Sequence, residues 1–119
     1  MNALKTVMGA SILALALLAP VGAAVADPVD FAQISSARTH ADHEAIAKAY
    51  EDEAADLSSK AAMHTKMSAS YRATGAMTKG PYSGLATHCE ALAKELNAAA
   101  KQSRELAAAH HKLAMAAEK

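Results

Sequence analysis

Six histidines, one cysteine and six methionines are the residues of this 119-residue chain with side chains suited to a borderline or soft ion. His40, His43, His110 and His111 form one set, with Glu44 and Met115 in reach of it. His64, His88 and Cys89 form another, with Met63 and Met67 beside them. Imidazole suits copper, zinc and nickel, whereas thiolate and thioether sulfur select Cu(I). His40 and His43 are three positions apart, as are His64 and Met67, and His111 and Met115 are four apart. On a helix those spacings bring two side chains to one face a turn apart, so one segment can offer two ligands. A single Cys excludes an internal disulfide framework and any zinc site built from several thiolates.

Two long helices are expected to carry these side chains. Thr39 opens the first as N-cap, with Asp42 three positions on in a capping-box arrangement, and the helix runs to about Arg72. The second runs from a cap at Ser83, or from Gly80 with Pro81 at its first position, to about Ala117. Ala73 to Pro81 is the breaker-rich connection. After residue 26, alanine fills 25 positions, while Leu, Ile, Val and Phe together fill ten. Alanine favours helix strongly and buries little area, so the domain is very helical and thinly cored. The fold class is therefore all-α, an antiparallel helical hairpin, with a four-helix bundle on dimerisation as the means of covering a weak core.

Helical spacing gives each helix an inward stripe. The first carries His43, Ile46, Ala47, Tyr50, Ala54, Leu57, Ala61, His64, Ser68 and Tyr71. The second carries Leu85, His88, Cys89, Leu92, Leu96, Ala99, Ser103, Leu106, His110 and Leu113. Glu51, Asp52, Asp56, Lys60, Lys66, Lys94, Lys101, Arg104 and Lys112 read as solvated outer faces. One antiparallel register sets Leu57 opposite Leu96, Tyr50 opposite Ser103, His43 opposite His110, and His64 opposite Cys89 beside His88. Two ion-binding ends follow, some 30 Å apart at about 1.5 Å per helical residue. The end with His40, His43, His110 and His111 is expected to take a borderline divalent ion. The end with His64, Met67, His88 and Cys89 is expected to take Cu(I). Each residue also has an ordinary structural use: Met63 and Met67 can fill gaps left by alanine, Cys89 can be a small buried hydrophobe, and His110 and His111 can favour the helix dipole.

The beginning of the chain reads as an export signal. Lys5 precedes the apolar run Val7 to Leu18, then come Pro20, Gly22 and the small-residue triplet Ala24-Val25-Ala26. This divides the chain into a signal peptide at 1–26, a leader at 27–38 in which Phe31 and Ile34 form one turn packed on the hairpin, and the hairpin domain at 39–119. A periplasmic or secreted location, with no stable membrane anchor after cleavage, is the expectation.

Acidic and basic residues balance at twelve each, which together with only four aromatic side chains of Phe and Tyr argues against a nucleic-acid partner. There is no phosphate-cradling Gly-rich loop, no H-E-x-x-H and no G-x-S-x-G, and no enzyme is expected. The segments Thr39-His40-Ala41-Asp42-His43-Glu44-Ala45 and Ala107-Ala108-Ala109-His110-His111-Lys112-Leu113-Ala114 give the chain its resemblance to the small bacterial periplasmic helical metal-binding proteins. That group is richer in His, often in short repeats, and lacks Cys. The resemblance implies binding of a divalent or copper ion. The functional expectation is an exported protein that binds or handles a transition-metal ion, with copper favoured and zinc or nickel as alternatives, as a monomer or a homodimer. The contrasting expectation is an exported helical interaction protein or stress chaperone with no metal.

Overall fold

A computed structural model describes residues 29–74 and 83–117, and all its regular structure is helical: α1 Phe31–Ser36, α2 His40–Ala73 and α3 Leu85–Ala116. The export signal, and the breakers from Gly75 to Pro81, lie outside the described residues. Two long helices packed along each other make the expected all-α hairpin.

Local sequence accounts for the helix starts. Asp30 caps α1, its carboxylate accepting from Ala32 N–H at 3.1 Å while Gln33 Oε1 accepts from Asp30 N–H at 3.4 Å. Thr39 caps α2 as expected: its Oγ1 accepts from Asp42 N–H at 3.2 Å, and Asp42 Oδ2 accepts from Thr39 N–H at 2.9 Å and Arg38 N–H at 3.0 Å. Those backbone donors, Arg38 first, stabilise the carboxylate and hold Asp42 down to about 2. The second cap differs from expectation. The residue before α3 is Gly84, not Ser83, and it has no capping side chain. Its φ of +89° is left-handed backbone, which a glycine adopts without the steric cost a Cβ brings.

The seam is built on alanine at a strict seven-residue interval. On α2 the buried residues include Ala47, Ala54, Ala61 and Ser68; on α3 they include Ala86, Ala93, Ala100, Ala107 and Ala114. Seven residues are two turns, so each set forms a line that stays in the seam when the helices supercoil. A small side chain at every such position lets the helices approach towards the close end of the usual ~8–10 Å spacing. A second line fills the spaces between the alanine layers. It consists of His43, Tyr50, Leu57, His64 and Tyr71 on α2, and Cys89, Leu96, Ser103 and His110 on α3. All are half-buried except Ser103, which is buried.

This corrects the expected α3 stripe. Leu92, Leu106 and Leu113 stand one position off the alanine line, 40%, 45% and 48% exposed, because the seam is too narrow for them and admits methyl groups in their place. The leader also departs from expectation. It does form a short helix that touches α2, but Phe31 is 81% and Ile34 39% exposed, and among the described leader residues it is Ala37, at the corner before α2, that is buried.

Candidate functional site

The end of the hairpin where α2 begins and α3 finishes gathers four of the six histidines. His43 and His110 occupy the second seam line, and their Nδ1 atoms lie 3.2 Å apart across it. The ring centroids are 5.4 Å apart at 36°, and the Tyr50 ring lies 5.8 Å from that of His110 at 30°. A hydrogen bond between two Nδ1 atoms needs a proton on one and a lone pair on the other, so at least one ring keeps an unprotonated Nδ1. Burial, and then the charge of a protonated His43, push the His110 pKa down. A neutral ring is the form that ligates a metal.

His40 continues the alanine line of α2, seven positions before Ala47. The close seam brings its Nδ1 to 2.8 Å from the main-chain oxygen of Ala114. A carbonyl only accepts, so Nδ1 carries a proton, and the lone pair left for a metal is that of Nε2. Metal-ligating histidines are oriented by such a bond.

His111 behaves differently. Its Nδ1 lies 3.0 Å from Glu44 Oε1 and its Nε2 2.9 Å from Glu51 Oε1. Two carboxylates on the two nitrogens favour the doubly protonated imidazolium, and His111 is raised above the ordinary histidine value by Glu44 first and Glu51 second. Glu44 is lowered in return. As an ion-paired cation His111 contributes no free lone pair in this geometry. Glu51 was expected on a solvated face; it is half of this clasp. Arg104, another residue expected outside, donates to Ser58 Oγ at 3.3 Å. Glu51 follows Glu44 by one heptad on the same edge, which is the sequence signal that reveals the pair.

The expected soft site near the turn is less assembled. The His43–His110 contact agrees with the register that sets His64 opposite Cys89. His64 Nδ1 is buried without a hydrogen-bond partner. Cys89 is a half-buried free thiol. Among the described residues no hydrogen bond joins His64, His88 and Cys89; His88 is exposed, beside Gly84, and Met67 is 36% exposed. Nor, among the described residues, do three or more His, Cys, Asp or Glu side chains already converge into a metal-binding group. What stands assembled is the two-imidazole pair.

A groove of about 440 Å³ runs along the clasp side of the seam, floored by Ala54, Ala55, Ala107 and Ala108 and rimmed by Glu51, Arg104 and His111. Among the described residues no helix is long and apolar enough to cross a membrane. Comparison with known proteins finds no matching family model, no matching curated protein and no matching solved structure.

Proposed function

We propose that the chain is an exported protein that binds a transition-metal ion at the open end of its hairpin, using His43 and His110, with copper favoured and zinc or nickel as alternatives. The observation that carries this reading is the 3.2 Å separation of the two Nδ1 atoms. Two nitrogens that share a tetrahedral ion at ~2.0–2.1 Å stand roughly 3.3 Å apart, so the pair already has the bite of a chelate. With the adjacent His111 held by Glu44 and Glu51, the further imidazole at this end is His40, three positions before His43, its Nδ1 bound to the Ala114 carbonyl. Affinity order among nitrogen-ligated divalent ions favours copper. The orphaned His64 Nδ1 supports a second, softer site with Cys89, Met67 and His88, suited to Cu(I). The export signal at 1–26 supports a periplasmic or secreted setting.

The test is a competition titration of the isolated chain with Cu(II), Zn(II) and Ni(II), and anaerobically with Cu(I), against chelators of known affinity. Loss of either imidazole, in His43→Ala or His110→Ala, is expected to weaken divalent binding at least about tenfold, or ~1.4 kcal/mol. The double variant is expected to be little worse than either single one. Cys89→Ser and His64→Ala are expected to weaken only Cu(I). Binding that is unchanged in both histidine variants overturns the assignment. The leucines exposed along α3 favour the other reading, an interaction protein without metal, if no ion competes with the chelators.

A further inference from the structure

One position before each alanine of the α3 seam lies a second heptad line: Leu85, Leu92, Ala99, Leu106 and Leu113. Leu92, Leu106 and Leu113 are 40–48% exposed, and Leu85 and Ala99 are half-buried. The line sits on the flank opposite the histidine–glutamate clasp. His111 and Arg104 each follow a seam alanine by four positions and reach Glu44, Glu51 and Ser58 of α2. At 3.6 residues per turn, one position before and four positions after fall on opposite edges of the seam. The corresponding edge of α2 carries Met67, one position before Ser68, with the exposed Met63 a turn earlier. Glu53, Asp56 and Lys60 are charged residues there, Lys60 paired with Asp56, and Ile46 at the far end of the same line is already buried.

The leucine line reads the same in both directions. Leu92 and Leu106 are equidistant from Ala99, and so are Leu85 and Leu113. A half-turn about an axis through Ala99 therefore lays the line on its own image, which is the requirement for an isologous interface between identical chains. The residue on the axis is also the smallest of the five, where two helices crossing a two-fold must come closest. A hydrophobic partner of another sequence gives no reason for this symmetry.

We propose that this face joins two copies of the chain, α3 against α3 and antiparallel, with Ala99 on the two-fold axis and Leu92 of each copy against Leu106 of the other. The result is a four-helix bundle with the two histidine clasps on its outer flanks. The area is sufficient. The line spans about 42 Å at ~1.5 Å per residue, and two helices side by side present a face roughly 18 Å wide, or about 750 Å² per copy. A standard stable interface takes ~800 Å² from each partner. The proposal stands on the leucine line alone and does not depend on the ion-binding reading.

The experiment is sedimentation equilibrium of the isolated chain, its N-terminus read by mass spectrometry, from about 1 to 100 µM without added metal. A dimer is expected, and Leu92→Glu with Leu106→Glu is expected to yield a monomer that keeps its helical circular dichroism. A cross-link tests the axis without disturbing the leucines. In a Cys89→Ser background, Ala99→Cys oxidised with diamide is expected to give a covalent dimer, and Ala109→Cys is not. That arm also decides the matter if the glutamate variant fails to fold. A monomer at 100 µM in which Ala99→Cys stays uncross-linked overturns the proposal, including the case where the chain's own N-terminal segment covers the leucines. A dimer that survives both glutamates, or that cross-links through Ala109→Cys and not Ala99→Cys, overturns it as well.

Discussion

Replacing Ala107 with leucine tests whether the alanine seam sets the geometry of the histidine pair. Ala107 is buried in the seam one turn before His110. Helix axes in contact through small residues stand about 8 Å apart, and through larger ones about 10 Å. Leucine at this layer therefore pushes the helices apart by up to ~2 Å, next to the pair. The 3.2 Å gap between the His43 and His110 nitrogens then grows towards about 5 Å. An ion with ~2.0–2.1 Å bonds spans at most ~4.2 Å between two nitrogens, even when they are placed in line with it. Affinity is expected to fall at least tenfold, although both ligands remain. Overpacking also costs ~1–3 kcal/mol of stability, which in a hairpin of this size lowers Tm by roughly 4–8 °C per kcal/mol. Ala109→Leu, two positions on and exposed, is the control, with the same change in propensity outside the seam. The assays are competition with a chromophoric chelator and thermal melting followed by circular dichroism. If Ala107→Leu binds and melts like Ala109→Leu, a narrow seam does not position the histidines.

Three other outcomes follow from the same structure. Thr39→Ala removes the N-cap acceptor of α2 and is expected to cost about 1 kcal/mol, seen as a lower urea midpoint at unchanged slope. Gly84→Ala forces a Cβ into left-handed backbone and is expected to destabilise by roughly 1 kcal/mol, whereas Ser83→Ala, which removes no cap, should be close to neutral. The clasp has a defined pH window. His111 is raised, so its contribution is complete below the unfolded histidine value and is lost as pH rises through the folded one; Glu44 is lowered, so its contribution is present above the unfolded glutamate value and is lost as pH falls through the folded one. Glu44→Gln is expected to bring the His111 titration, followed by imidazole NMR shifts, down towards 6.5, with a smaller fall for Glu51→Gln. An unchanged titration in both variants would remove the clasp.

How much of this was legible in the sequence depends on the distance over which each feature is encoded. The capping box at Thr39 and Asp42 is local, four residues long, and legible in the sequence. The hairpin itself and the meeting of His43 with His110 also came through, because bulky residues spaced three and four apart fix a register. The seam of α3 lies one position from the line that hydrophobicity indicates. Leucine outranks alanine in any reading by hydrophobicity, so the line of leucines reads as the core, although the five alanines beside it recur at strict sevens. What decides between the two lines is how closely α2 can approach, a property of the pair of helices and absent from either one alone. Glu51 was missed for a related reason: a carboxylate on an outer edge looks solvated until the facing helix supplies His111.

An alanine line every seven residues has one further consequence. Its layers are nearly identical, so sliding α3 along α2 by two turns replaces each methyl contact with another of the same kind and gives up only a layer at the end. That line by itself holds the helices close yet scarcely distinguishes one alignment from the next, and the bulky residues between its layers supply part of the distinction. The rest falls to what is not repeated: His43 with His110 and His40 with Ala114 at one end, Ser103 with Glu53 in the middle, and Ser68 and Arg72 with Glu90 towards the turn. In a chain arranged this way the polar side chains act as the detents of a smooth track, and an ion shared between His43 and His110 would pin the one setting in which the two helices bring them together.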